Sequence, residues 1–139
     1  MEPLTETNYI EIIETVIASL GQEGSAMVLT QDTGHLWRFT YGTVEVFVQL
    51  SGEAPEDILT VWSSVLSLPA KNEPQLMQRL LEMNWADTFE ARFSIFNYEV
   101  VVVTSRNLED LSAAEISRLI TVVATIADDH DEALQAEFG

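Results

Sequence analysis

The residues best suited to chemistry in this sequence are a group of carboxylates around a histidine near the C-terminus. Carboxylates three or four positions apart share one face of a helix, and such a face could hold a hard divalent cation. Tight cation sites need rigid, converging ligands. The sequence therefore favours a solvated helix end with the histidine turned towards the apolar side, and we predict no metal site. The residues concerned are Asp128, Asp129, His130, Asp131 and Glu132.

The second histidine, His35, does not indicate a catalytic site either. Nucleophilic catalysis needs a base beside a Ser or Cys nucleophile, and no such arrangement surrounds His35. The absence of cysteine excludes disulfides and thiolate metal sites. We therefore predict a protein that is not an enzyme and carries no cofactor. An enzyme with paired carboxylates is the least favoured alternative, because it rests only on the abundance of carboxylates.

Length and charge restrict the architecture and the partners. A chain of 139 residues with 47% hydrophobic content can bury one core, so we expect a single domain spanning residues 1–139. The formal net charge of −17 repels phosphates, which argues against nucleic acids and anionic membranes as partners. The acidity serves either solubility or the attraction of a basic partner, and the sequence leaves both open.

Hydropathy predicts a cytoplasmic protein. No stretch reaches the roughly 18 uncharged apolar residues of a membrane span. The segment Met1–Glu6 lacks the basic and apolar regions of a signal peptide.

The first half of the chain predicts a helix followed by strands. Asn8 and Glu11 have the spacing of a capping box, and apolar residues follow at helical intervals until Gly21. Ala26–Leu29 predicts a short edge strand, and 58–68 a longer strand. Between them, a two-residue turn predicts a hairpin whose core face pairs Trp37 with Val48, Phe39 with Val46 and Tyr41 with Val44, leaving Phe47 on the reverse face.

A middle helix, capped by Asn72, carries apolar residues on two sides. One side serves the core with Leu76, Leu80 and Met83. The other side needs a second partner, for which a second subunit is the simplest candidate. We therefore assign to a dimer interface the residues Met77, Leu81 and Trp85.

The last third predicts a hairpin and a long helix. A turn at Asn97-Tyr98 pairs Ile95 with Val100 and Phe93 with Val102. Because Val101 and Val103 make the reverse face apolar too, we expect a strand that is central or covered on both sides, and we add both valines to the dimer interface. The helix starts at a capping box of Ser112 and Glu115. Beyond Asp128 its acidic residues predict fraying, since a helix C-terminus favours positive charge.

The predicted fold is α+β: a helix, an antiparallel strand block, a helix, a β-hairpin and a C-terminal helix, with the helices packed on a mostly antiparallel sheet. In this order of elements, and in the segments 80–84, 93–103 and 111–128, the chain resembles the YbjN-like family within the type III secretion chaperone (CesT-like) fold. It differs from the secretion chaperones in the extra strand at 58–68. The resemblance implies an acidic homodimer that holds an extended segment of a client protein, with Met77, Leu81 and Trp85 at the dimer interface.

Two functional hypotheses follow. The leading one is a dimeric chaperone-like or adaptor protein without enzymatic activity, which binds another polypeptide. If the reverse face of the sheet is open, we expect Phe47 and Phe96 to contact that client. The alternative is a regulatory domain that senses a small ligand in a pocket between the sheet and the first helix.

Overall fold

The computed structural model describes residues 8–21, 26–30 and 34–139, with 26–30 described as backbone only. Within these residues the chain forms three helices and a six-stranded sheet. The elements, in chain order, are α1 (Tyr9–Leu20), β1 (Ala26–Thr30), β2 (His35–Tyr41), β3 (Val44–Leu50), β4 (Ile58–Ser67), α2 (Glu73–Ala86), β5 (Arg92–Phe96), β6 (Glu99–Asn107) and α3 (Ala113–Phe138).

The sheet has the strand order β1-β2-β3-β4-β6-β5, and every neighbouring pair is antiparallel. Both predicted hairpins are confirmed in register. The register is predictable because an apolar face that must be buried permits only one pairing. The confirmed pairs include Trp37 with Val48, Phe39 with Val46, Phe93 with Val102 and Ile95 with Val100. β6 lies between β4 and β5, as its two apolar faces predict, and the α+β fold class is confirmed.

The hydrophobic core lies between the helices and one face of the sheet. α3 packs against β2, β3, β4 and β6, α1 packs against α3, and α2 packs against β5. Val46, Val61 and Val102 contribute fully buried side chains from the sheet, and Ile120 and Val123 contribute them from α3. Alternating side chains of each strand therefore face the core, and the intervening ones lie on the other face.

Polar contacts attach α1 to the rest of the domain. At the start of α1 itself, the Asn8 side chain accepts a hydrogen bond from the Glu11 backbone N–H at 3.0 Å, which confirms the predicted cap. Glu14 accepts a hydrogen bond from the indole N–H of Trp37 at 3.1 Å. The Tyr9 hydroxyl donates to the Leu108 carbonyl at 3.1 Å.

The start of α2 differs from its prediction in mechanism. Asn72 occupies the cap position, but its side chain does not bond a helical N–H, and its backbone is left-handed with φ of 49°. The Asn72 side chain instead donates to Gln75 Oε1 at 2.6 Å. Glu73 folds back and accepts the Ala70 N–H at 2.8 Å. The sequence spacing therefore predicts the helix start correctly, but the Asn72 side chain does not make the predicted capping bond.

The predicted fraying of α3 beyond Asp128 is wrong. The helix continues to Phe138, and Leu134 and Phe138 are buried in the core. The Glu137 carboxylate pairs with the Arg79 guanidinium of α2. Burial of one apolar side and this ion pair outweigh the unfavourable charge at the helix end, whose cost is under about 1 kcal/mol per exposed residue.

Candidate functional site

The face of the sheet opposite the core carries an apolar row that crosses five strands. The register places Arg38 beside Phe47, Phe47 beside Trp62, Trp62 beside Val103, and Val103 beside Arg92. Two aromatic residues and a valine are therefore flanked by an arginine at each end. We call this side of the sheet the open face.

Aromatic rings of the open face pack on one another, both between the neighbouring strands β3 and β4 and across β6 from β5 to β4. The Phe47 and Trp62 rings stack with centroids 5.3 Å apart and 15° between their planes. The Phe96 ring approaches Trp62 edge-on at 6.2 Å, yet 59% of Phe96 stays exposed. Such edge-on and stacked pairs are favourable arrangements of aromatic rings. These contacts set the relative positions of the three rings, and each ring remains at least partly exposed to solvent.

A groove of about 280 Å³ runs beside these rings along β5 and β6. Every residue that lines it belongs to a strand. Its floor is apolar and its rim is polar, a combination typical of surfaces that bind a partner. We call it the open-face groove, and its principal lining residues are Trp62, Arg92, Ser94, Phe96, Val101 and Val103.

The structure brings together residues to which the sequence assigns different roles. Val101 and Val103, predicted for a dimer interface, line the same groove as Phe96, predicted for a client. Phe47 borders the groove through its contact with Trp62. Val101 is only 2% exposed, so it shapes the floor of the groove and offers little surface of its own.

A second apolar surface lies on α2, where Leu81 is 70% exposed and Trp85 92% exposed. Met77 is partly buried against the core, and with Leu81 it lines a groove of about 380 Å³ that reaches Ile95 on β5. We call these four residues the α2–β5 patch. Ser94 and Ile95 line both grooves, so the two surfaces meet along β5.

Exposed apolar side chains are concentrated in one segment of the chain. In the described ranges, Ile58 is the one large exposed hydrophobic residue outside the segment 81–98. Those within it are Leu81, Trp85, Phe89, Ile95, Phe96 and Tyr98. Since apolar residues gathered in this way mark interaction sites on soluble proteins, the α2–β5 patch and the open-face groove, which together hold four of these six residues, are the strongest candidates for binding surfaces.

Asn84 protects the outer edge of β5. Its side-chain oxygen accepts the Phe93 backbone N–H at 2.7 Å, and its amide nitrogen donates to the Phe93 carbonyl at 3.2 Å. These backbone groups would otherwise be available to another strand. At Phe93, the edge of β5 is therefore closed to backbone pairing with another strand.

The acidic residues near His130 do not converge as ligands. Asp128 and Asp131 both turn towards Thr43, while the His130 ring meets Phe93 edge-on at 6.1 Å. Within the described residues, no group of three or more carboxylates, histidines or cysteines is arranged to hold a metal. The His130 ring thus lies on the apolar side of α3, as expected from the sequence.

His35 lies at the start of β2 and stacks on Trp37, with ring centroids 5.7 Å apart. Its Nδ1 is buried and has no hydrogen-bond partner among the described atoms. Separately, no helix in the described ranges has the length and apolar character needed to cross a bilayer.

Comparisons with known proteins agree with this architecture. The model of the YbjN family, described as "Putative bacterial sensory transduction regulator", matches residues 9–136. A solved structure titled "Crystal Structure of the ExsC-ExsE Complex" is 15% identical, covers 90% of this chain and 92% of its own, and superposes with a TM-score of 0.57. At that identity the likeness shows the fold, and no curated protein sequence matches. The match across nearly the whole chain shows that it belongs to the YbjN family.

Proposed function

We propose that this protein is a non-enzymatic adaptor or chaperone that binds another polypeptide on the open face of its sheet. The observation that carries the proposal is the open-face groove, in which Trp62 and Phe96 present an apolar surface between polar rims. Burying apolar area contributes about 25 cal/mol per Å². A partner that covers these rings removes their apolar surface from water, and this burial contributes to its binding free energy.

The chemical character of the open face favours a polypeptide over a small molecule. Small-molecule sites are concave and enclose most of their ligand, whereas the open-face groove has an exposed Phe96 at its side. An extended segment can place alternate side chains on such a surface. The similar ExsC–ExsE structure is itself a complex, which supports a protein partner for this fold.

A homodimer through the α2–β5 patch forms the second part of the proposal. Trp85 and Leu81 are too exposed to stabilise the monomer, and aromatic anchors of this kind are frequent at the centres of interfaces. A twofold axis would place the same patch of each subunit in contact. We assign this contact to Met77, Leu81, Trp85 and Ile95; Val101 and Val103, also predicted for a dimer interface, line the open-face groove.

The alternative, a domain that senses a small ligand, is supported by the description of the family. The predicted pocket between the sheet and α1 is less favourable, because Ile13 and Ile17 of α1 and Trp37 of β2 are buried there. A metabolite that raises the melting temperature of the purified protein would support this alternative, since a ligand specific to the native state stabilises it. The cytoplasmic location and the exclusion of nucleic acids remain predictions.

Affinity capture from the protein's own cells tests the proposal. The tagged protein should retain a stoichiometric polypeptide partner, and Phe96→Ser should lose it because the groove loses an aromatic wall. Phe89→Ser is the matched control, since Phe89 is 76% exposed but does not line the groove. Equal recovery of the partner by both variants would contradict binding at the open face.

A further inference from the structure

Arg92 differs from the other arginines of the chain in its electrostatic surroundings. Within the described residues, four arginines each pair with a carboxylate of the protein itself: Arg38 with Glu45, Arg79 with Glu137, Arg106 with Glu115 and Arg118 with Glu90. Arg92 has no ion pair there. In a chain with 23 acidic residues and only 6 basic ones, an arginine that faces an apolar groove instead of a carboxylate is unusual.

The position of Arg92 makes the two ends of the open-face groove chemically different. Arg92 is the first residue of β5 and Phe96 the last, and both line the groove. Their side chains share the open face because they are four residues apart, a distance of about 13 Å along a strand. The groove therefore has a cation at one end and an aromatic pair, Phe96 with Trp62, at the other.

We propose that the open-face groove binds an extended peptide segment in which a carboxylate contacts Arg92 and an apolar side chain about four residues away packs on Trp62 and Phe96. The inference rests on the proposed function and specifies the chemistry of the partner. A guanidinium binds a carboxylate through two parallel hydrogen bonds, which fixes the orientation of the segment as well as its position.

The strongly negative net charge of the protein does not prevent this recognition. At physiological ionic strength, charges are screened beyond about 8 Å, so distant carboxylates act weakly on a segment within the groove. The nearest acidic residue on the same two strands is Glu99, which pairs across the hairpin with Phe96. An acidic group of the partner is therefore favoured at the Arg92 end and disfavoured at the Phe96 end.

Selection from a random library of linear peptides tests the inference, with peptides of about twelve residues, long enough to span the groove. The wild-type protein should enrich peptides in which Asp or Glu lies four positions from an aromatic or large aliphatic residue. Arg92→Glu should enrich Lys or Arg at the acidic position instead. Lys71→Glu is the matched control, because Lys71 is an exposed basic residue that does not line the groove, and it should leave the enriched motif unchanged.

A synthetic peptide with the enriched motif then provides an affinity. Arg92→Gln should weaken its binding about tenfold or more, since a hydrogen bond to a charged group is lost. Phe96→Ser should weaken the same peptide independently. Enrichment of apolar residues without an acidic one would overturn the role of Arg92 while leaving the proposed function intact. If no peptide is enriched, the inference is wrong, and the capture experiment with Phe96→Ser decides separately whether the open face binds a folded partner.

Discussion

The hydroxyl of Thr43 lies 2.8 Å from Oδ2 of Asp131, a residue 88 positions later in the chain. Thr43 is in the β2–β3 turn, and Asp131 is a buried residue of α3. The Thr43 backbone N–H also donates to Asp128 at 2.9 Å. These bonds fix the tip of the first hairpin to the last helix, and they explain why an acidic helix end is ordered.

Replacing Thr43 by Val should destabilise the fold. The substitution keeps the shape of the side chain but leaves the buried Asp131 carboxylate without its hydroxyl donor, at a cost of about 1 to 3 kcal/mol or more. Urea denaturation measures the change. Thr40→Val, on the adjacent strand, serves as control and should stay within about 0.5 kcal/mol of wild type. Equal stability of the two variants would contradict the role of the Thr43–Asp131 contact.

Gly42, also in the β2–β3 turn, should not tolerate a side chain. Its φ of +55° disfavours other residues, and an added Cβ would overlap the Asp128 carboxyl group. Gly42→Ala should therefore lower the free energy of unfolding by more than the ~1 kcal/mol expected from backbone strain alone. Combining it with Asp128→Ala should cost less than the sum of the two single changes, because the overlap disappears. Strict additivity would show that Asp128 does not pack on the turn.

The capping box of α3 should make stability depend on pH. The backbone N–H of Ser112 lowers the pKa of Glu115, and the Ser112 hydroxyl and Arg106 act in the same direction. Because the folded pKa is the lower one, this contribution is present above the unfolded value of about 4.3 and is lost as the pH falls through the folded value.

Glu115→Gln tests this dependence through urea midpoints measured from neutral to acidic pH. The stability difference between wild type and variant should be largest near neutral pH and should shrink as the pH falls below about 4.3. A difference that stays constant over this range would show that ionised Glu115 does not contribute to the cap.

The α2–β5 patch should control self-association. Met77→Glu combined with Leu81→Glu introduces two like charges into each half of a twofold interface, and these would face one another in the dimer. Light scattering should report a dimer mass for the wild type and a monomer mass for the double variant. Ile58→Glu is the control, since Ile58 is exposed and lies outside the patch. A dimer mass that survives the double change would place the interface elsewhere.

Local features of the fold can be predicted from the sequence. The two hairpins are predicted in register because a slip of one residue would turn Phe39 and Phe93 away from the core. The Ser112 cap is equally local, since its partner Glu115 lies within one turn. The ordered end of α3 cannot be predicted in this way, because it depends on Thr43 and Arg79, which only the tertiary fold brings close.

The binding surface is predictable only in part. Hairpin alternation correctly places Phe47 and Phe96 on the reverse faces of their own hairpins. It cannot show that β4 pairs with β6 across α2 and β5, and this pairing brings Trp62 between the two phenylalanines. Arg92 is not predictable as a binding residue for the same reason. The hairpin register alone places Arg92 beside Val103, but the groove that both residues line also needs Trp62 of β4.

Photo-crosslinking in the protein's own cells tests the central claim most directly. A benzophenone analogue of phenylalanine replaces Phe96 in one sample and Phe89 in a matched one, and mass spectrometry identifies the adducts. Binding of a polypeptide at the open face predicts a discrete adduct with another protein at position 96 and none with that protein at position 89. An adduct at position 89 alone, or none at either position, would contradict it.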